Sequence, residues 1–214
     1  EGVLFRVKDM LRKGIGKHAD MIAVHAYTPR KIRPETSEFF GDGFAALRAF
    51  CRRFDAPQRI AVTESGWTTC AGKDITHLGW AGEFVQTSYE MQAAYLIRMY
   101  LLSHAAGLEY ALCYDIRNDG PRRNYTEHNF GLVHRDYSPK PSLMAIAALT
   151  RLMGDSWFEK ELSPEPGKYR VQVYRVTKDH AVVAAWTVRG EHTLRLRSKT
   201  DQVERIDLMG NRRP

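Results

Sequence analysis

The sequence predicts an α/β protein, part of a (β/α)8 TIM barrel followed by a small antiparallel, sandwich-like β region. Three observations carry this expectation. Helical and strand-like patterns alternate three times in the first 155 residues, the order that gives a parallel sheet. The strand-like runs turn polar at their C-terminal ends, as barrel strands do where a site sits at the mouth. From Tyr169 onward the period changes to two, the mark of half-buried antiparallel strands.

The opening helix is expected over Phe5 to Lys13, where Val7, Met10 and Leu11 share a face, with Gly14 and Gly16 as its stop. Met21 to Tyr27, MIAVHAY, reads as a strand: Ile22, Val24 and Ala26 take one face, and Ala23, His25 and Tyr27 the other. After a loop from Thr28 to Gly41, Asp42 is a candidate N-cap for a helix carrying Leu47, Phe50, Cys51 and Phe54. Pro57 blocks its continuation, and RIAVTESG, Arg59 to Gly66, is a buried parallel strand with Glu64 near its end. The longest helix is placed at about Glu83 to Ala106, with Gly107 as C-cap, and YALCYD, Tyr110 to Asp115, follows as a third strand. An irregular polar stretch leads to Pro141, which suits the first position of a helix closing near Gly154.

An eight-stranded barrel takes roughly 250 residues, so three units in residues 1–162 are part of a larger domain. An open doubly wound sheet is the alternative, but no glycine-rich phosphate loop follows any strand. The segment SPEPG, Ser163 to Gly167, marks the boundary to the β region at 168–214, where strands are expected in YRVQVYRV, HAVVAAWTV, HTLRLR and VERIDLM.

Composition narrows the function. With 43% hydrophobic and 27% charged residues, the chain is globular rather than disordered. No apolar run approaches the roughly 18 residues of a membrane helix, and the first twenty residues lack a signal-peptide layout. The net charge of +7 comes from short basic clusters, such as Arg30, Lys31 and Arg33 or Arg122 and Arg123, set among acidic residues. They belong to no nucleic-acid module, so nucleic acid is not the expected partner. Cys51, Cys70 and Cys113 form no CxxC, and the eight histidines form no HExxH, so no metal or other cofactor is expected. Ser65 lacks the elbow of a serine hydrolase.

Glu64 is the residue most in need of explanation, because a carboxylate at the end of a buried strand loses hydration. His25 and Tyr27 point toward the same mouth from a neighbouring strand, and a tyrosine hydroxyl there can donate to a carboxylate and hold it ionised. A salt-bridge partner or a surface position is the plainer reading of Glu64. A satisfied structural histidine is the plainer reading of His25.

Taken together, ADMIAVHAYTP, RIAVTESGWTT, YALCYDIRNDG and EHNFGLVHRDYSPKPS resemble the C-terminal half of a clan A retaining glycoside hydrolase, a (β/α)8 barrel of the cellulase and β-xylosidase type. The resemblance covers about Phe5 to Leu152 well and the rest loosely. It implies that the three strands are the sixth to eighth of the barrel, that Glu64 is the nucleophile, and that Tyr27 hydrogen-bonds it. It implies substrate contacts from His25, Trp67, Trp80, Asp119 and Glu127, although core or rim packing is an equal reading of each tryptophan, and pairing with Arg117, Arg122 and Arg123 to shape the loop is the plainer reading of Asp119 and Glu127. The tryptophan platform often found on the eighth strand has Cys113 at the matching position. The acid/base of this clan ends the fourth strand, so it is expected to precede this chain.

The implied chemistry is retaining hydrolysis of β-linked glycans, by two carboxyl groups about 5–5.5 Å apart. A carbohydrate substrate without a cofactor follows, and secretion or a periplasmic location would suit a polysaccharide. Three strands expose edges that a whole barrel covers, so the missing N-terminal half or another chain is the expected partner. The alternatives are a noncatalytic carbohydrate-binding protein on the same scaffold and a structural domain in which Glu64 is an ion-pair partner.

Overall fold

Three parallel strands, β1 (Ile22–His25), β2 (Ile60–Ser65) and β3 (Ala111–Cys113), form one sheet in that order. The computed structural model describes residues 3–28, 33–72, 86–198 and 202–213. Chain contacts divide it into two units, Glu1–Ser142 and Leu143–Pro214.

In the first unit, the alternation in β1 acts as expected: Ile22, Val24 and Ala26 are buried while Ala23 and His25 are exposed. β2 is central and buries Ile60, Ala61 and Val62 completely, so both of its faces are covered. Helix α1 (Val3–Arg12) precedes β1, and α2 (Gly43–Arg53) links β1 to β2. Phe44, Leu47 and Cys51 of α2 are buried one turn apart, and Phe50 stacks on Phe54 at 4.6 Å. Asp42 holds the N-cap position of α2 without a side-chain bond; its carbonyl takes the Ala46 N–H instead.

Helix α3 (Tyr89–Ala105) links β2 to β3 and starts later than the sequence pattern places it. Ser88 is the reason: its hydroxyl accepts the Met91 N–H as a true cap. Thr87 just before it bonds the Thr68 carbonyl through both its N–H and its hydroxyl. Residues 83–85 of the expected helix lie outside the described residues.

Helix α4 (Pro141–Met153) begins at the end of the first unit and runs into the second. The antiparallel sheet follows, with β4 (Trp157–Glu161), β5 (Tyr169–Arg175) and β6 (Ala181–Thr187) in that order. The sheet therefore starts before SPEPG, which is the β4–β5 connection rather than a boundary between domains. WFEKE hides this from a reading of periodicity, because a register irregularity between Phe158 and Lys160 breaks its alternation. Glu161 anchors the connection, accepting bonds from Ser163 Oγ at 2.6 Å, Val171 N at 3.0 Å, Gln172 Nε2 at 3.0 Å and Arg170 Nη1 at 3.1 Å.

HTLRLR forms no strand, and VERIDLM contributes only β7 (Arg205–Ile206), paired with β8 (Arg212–Arg213). The alternation in HTLRLR finds no apolar surface to cover: Leu194 and Leu196 are exposed at 43% and 55%.

Leu47, fully buried on α2, tests this core. Leu47→Ala is expected to lower unfolding stability by about 2–5 kcal/mol, measured as the shift in urea midpoint.

Candidate active site

Parallel pairing brings the C-terminal ends of the three strands together. His25 stands opposite Glu64 in the β1–β2 register, and Ser65 stands opposite Cys113 in the β2–β3 register. Backbone bonds continue past the strand ends, from Ala26 N to Glu64 O at 3.0 Å and from Tyr114 N to Ser65 O at 2.8 Å. The buried Ser65 hydroxyl donates to Ala26 O at 3.0 Å. Tyr27, Glu64 and Tyr114 thus leave three neighbouring strands at one level.

The Tyr27 hydroxyl donates to Glu64 Oε1 at 2.5 Å. A hydrogen bond to a charged acceptor of this length contributes about 1.5–3 kcal/mol. Burial, and after it the bond to and charge of Glu64, push the Tyr27 phenol well above its ordinary range, so it remains a donor at every physiological pH. His25 Nδ1 lies 3.5 Å from Glu64 Oε2, and its side chain is 56% exposed. Tyr27 therefore fixes one carboxylate oxygen, while the other faces a solvent-exposed imidazole.

Across the mouth, the Tyr114 hydroxyl donates to Asp119 Oδ2 at 2.7 Å. Burial and the bond to Asp119 hold this second phenol high as well. Phe130, 1% exposed, packs edge-to-face against both tyrosines, at 6.2 Å and 75° to Tyr27 and at 5.5 Å and 63° to Tyr114. Glu127 lies in the same cluster: burial, then the charges of Asp119 and Glu64, push its carboxyl up. Its Oε1 is buried with no hydrogen-bond partner among the described residues.

The loop bearing these groups is held from within by a charge. Lys140 is 1% exposed, and its ammonium donates to Asn118 Oδ1 at 2.8 Å, Thr69 Oγ1 at 3.0 Å and Asn129 O at 3.1 Å. All three donors are used. Burial lowers its pKa to about 8, against the attraction of Asp115. Burial, then the charge of Asp119 and a bond to it, raise Asp115 to about 7, with Lys140 opposing. Asn129 adds bonds from its side-chain amide to the carbonyls of Arg122 at 2.9 Å and Tyr125 at 2.7 Å. Two glycines permit the packing: a Cβ on Gly66 would lie 2.1 Å from Tyr114 O, and one on Gly131 would lie 2.2 Å from Asn118 N.

Of the residues singled out from sequence, the structure gathers His25, Tyr27, Glu64, Asp119 and Glu127 around one mouth. Trp67 is corrected. It is only 3% exposed, with its ring tilted against Tyr95 of α3 at 5.7 Å, and so it packs beneath the site instead of offering a face to a ligand. Trp80 lies outside the described residues. The aromatic residue at the end of β3 is Tyr114, one position beyond Cys113, whose thiol bonds Tyr100 of α3. Tyr114, Asp115, Phe130 and Lys140 went unassigned in the sequence, although YDIRND, EHNFGL and SPKP contain them.

No protein-family model and no curated protein matches the chain; solved structures do. Over 96% of its length the chain is similar to a family 39 glycoside hydrolase from the gut symbiont Bacteroides cellulosilyticus, with 27% identity and a TM-score of 0.72, and it spans 42% of that chain. A family 17 β-1,3-glucanosyltransferase from Rhizomucor miehei matches 65% of this chain, over 54% of its own, at 15% identity and a TM-score of 0.43. A β-glucuronidase from Bacteroides uniformis matches 84% over 27% of its own, at 11% and 0.41. The first of these similarities makes the three parallel strands and their helices part of a TIM barrel like that of the family 39 glycoside hydrolase.

Two measurements test the loop anchor. Lys140→Met strands the buried Asn118 Oδ1 and removes the charge-assisted bonds to Thr69 Oγ1 and Asn129 O, which keep their bond to each other, and is expected to cost about 3 kcal/mol in urea unfolding. Asp115 holds its proton more tightly folded than unfolded, so its contribution is fully present below about pH 4 and is lost as pH rises through about 7. Relative to the parent, Asp115→Asn should therefore show a smaller fall in urea midpoint between about pH 5 and about pH 8.

Proposed function

We propose that the chain carries the nucleophile side of a retaining glycoside hydrolase acting on β-linked glycans, with Glu64 as the attacking carboxylate. The observation that carries this reading is the 2.5 Å bond from Tyr27 to Glu64 Oε1, made at the C-terminal ends of adjacent parallel strands, where barrel enzymes place their chemistry. The similarity to a family 39 glycoside hydrolase supports it. That similarity spans 42% of the other chain, and the acid/base is assigned to barrel strands outside this one.

In the first step, Glu64 Oε2 attacks the anomeric carbon as the bond to the leaving oxygen breaks, and that oxygen takes a proton from the acid/base. Tyr27 keeps its hydrogen bond to Oε1 throughout and fixes the plane of the carboxylate. Water then cleaves the glycosyl ester, with the acid/base taking its proton, and Glu64 is released as a carboxylate. His25, Asp119 and Glu127 are assigned to sugar hydroxyls; Glu127 Oε1, buried without a partner among the described residues, is an acceptor in need of a donor.

Binding without turnover is the second reading, favoured by the exposed His25 and the unsatisfied Glu127. The experiment that separates the two is incubation of the folded chain with 2-deoxy-2-fluoro glycosides bearing an activated leaving group, which departs without a general acid. Intact-mass analysis should show one glycosyl adduct, mapped to Glu64 and absent in Glu64→Gln. Tyr27→Phe should slow labelling by about 10- to 100-fold. Saturable sugar binding without an adduct would support the binding protein instead.

A further inference from the structure

Two tyrosines from strands on opposite sides of β2 meet a single ring. Tyr27 follows β1 and Tyr114 follows β3, each hydroxyl is committed to a different carboxylate, and Phe130 packs edge-to-face against both. A phenol turns about two side-chain dihedrals, so a 2.5 Å bond to Glu64 requires something to stop the Tyr27 ring from swinging.

Phe130 is itself fixed. Its carbonyl accepts Gln92 Nε2 of α3 at 2.9 Å, and the same amide donates to Trp67 O at 2.8 Å, three residues beyond Glu64. Gln92 is fully buried, and its Oε1 accepts the Ser142 hydroxyl at 2.9 Å. One side-chain amide thus ties the chain after β2 to the turn carrying Phe130. Gly66 and Gly131 provide the space: a Cβ on Gly66 would lie 3.3 Å from the Phe130 ring, and one on Gly131 would collide with the Asn118 backbone.

We propose that Phe130 is a positioning residue whose ring, tethered through Gln92, sets the hydroxyls of Tyr27 and Tyr114 together and thereby aligns Glu64 and Asp119 as one unit. Its catalytic consequence rests on the assignment of Glu64 as nucleophile; the coupling itself does not. A leucine or methionine of similar bulk fills the volume but brings no aromatic ring to the edge-to-face contacts with the two tyrosines. The Tyr27–Glu64 bond then loses its fixed geometry even where the fold survives.

The test is a double-mutant cycle of Tyr27→Phe and Glu64→Gln on this chain, read by urea unfolding and run with Phe130 intact and again in Phe130→Leu. With Phe130 present, the two changes should be coupled. In Phe130→Leu, that coupling should shrink by about tenfold in equilibrium constant, which is about 1.4 kcal/mol. Phe130→Met serves if the leucine variant does not fold. The second readout is labelling of Glu64 by the activated fluoroglycoside. Its maximal rate should fall tenfold or more while the probe concentration giving half that rate stays unchanged, because the attack is misaligned and the sugar contacts remain. An unchanged coupling in a folded Phe130 variant would overturn the proposal whatever the labelling shows. A parent chain that takes no label, but whose Tyr27–Glu64 coupling still depends on Phe130, would retain the positioning role and remove the nucleophile assignment.

Discussion

Parallel pairing is the constraint from which the rest follows. Strands that run the same way must end on the same side of the sheet, and each return crossing must be made by a helix. The residues just beyond β1, β2 and β3 therefore have no choice of neighbours. Tyr27, Glu64 and Tyr114 meet because His25 is in register with Glu64, and Ser65 with Cys113. Had β2 slipped by one residue, its side chains would exchange faces and Glu64 would leave the mouth for the helix side.

What the strands place, the long connection after β3 holds, and it does so with polar groups rather than an apolar plug. Lys140, Gln92 and Asn129 are each buried; Lys140 and Gln92 divide their hydrogen bonds among segments far apart in the chain, and the Asn129 amide ties its own loop together. Such groups are costly to bury, and the cost is offset only when their bonding capacity is used. Lys140 uses all three donors, and the Gln92 amide bonds two backbone carbonyls while its oxygen accepts a hydroxyl. A loop pinned this way has one low-energy arrangement, since any other strands a charge or an amide.

This division explains how much could be read from the sequence. The strand ends were legible because period-two alternation and the change from apolar to polar act locally: His25 and Tyr27 on one face of β1, and Glu64 at the end of RIAVTES, follow from spacing alone. Trp67 was misplaced because nothing local distinguishes an indole that covers a ligand from one that packs on Tyr95. Ser88 shortened α3 because a cap overrides a pattern of apolar residues that begins earlier. Phe130 and Lys140 drew no functional assignment for a different reason. Their roles consist of contacts with Tyr27 and Thr69, about 100 and 71 residues away in the chain, and no window of sequence contains both partners.

The mouth gathers four carboxyl groups, Glu64, Asp115, Asp119 and Glu127, and their mutual repulsion has to be relieved locally. Tyr27 relieves Glu64 with a donated proton, and Tyr114 does the same for Asp119. Asp115 bonds Asp119 and titrates near neutrality, with Lys140 beneath it. Glu127 is the fourth. It is pushed up by burial and by two neighbouring acids, and no donor among the described residues reaches its Oε1. Glu127 Oε1 and Asp115 Oδ1 are both buried with no hydrogen-bond partner among the described residues, and on the proposed function the place beside Glu127 Oε1 is the substrate's. A sugar hydroxyl is a neutral group able to fill it without adding charge to the cluster.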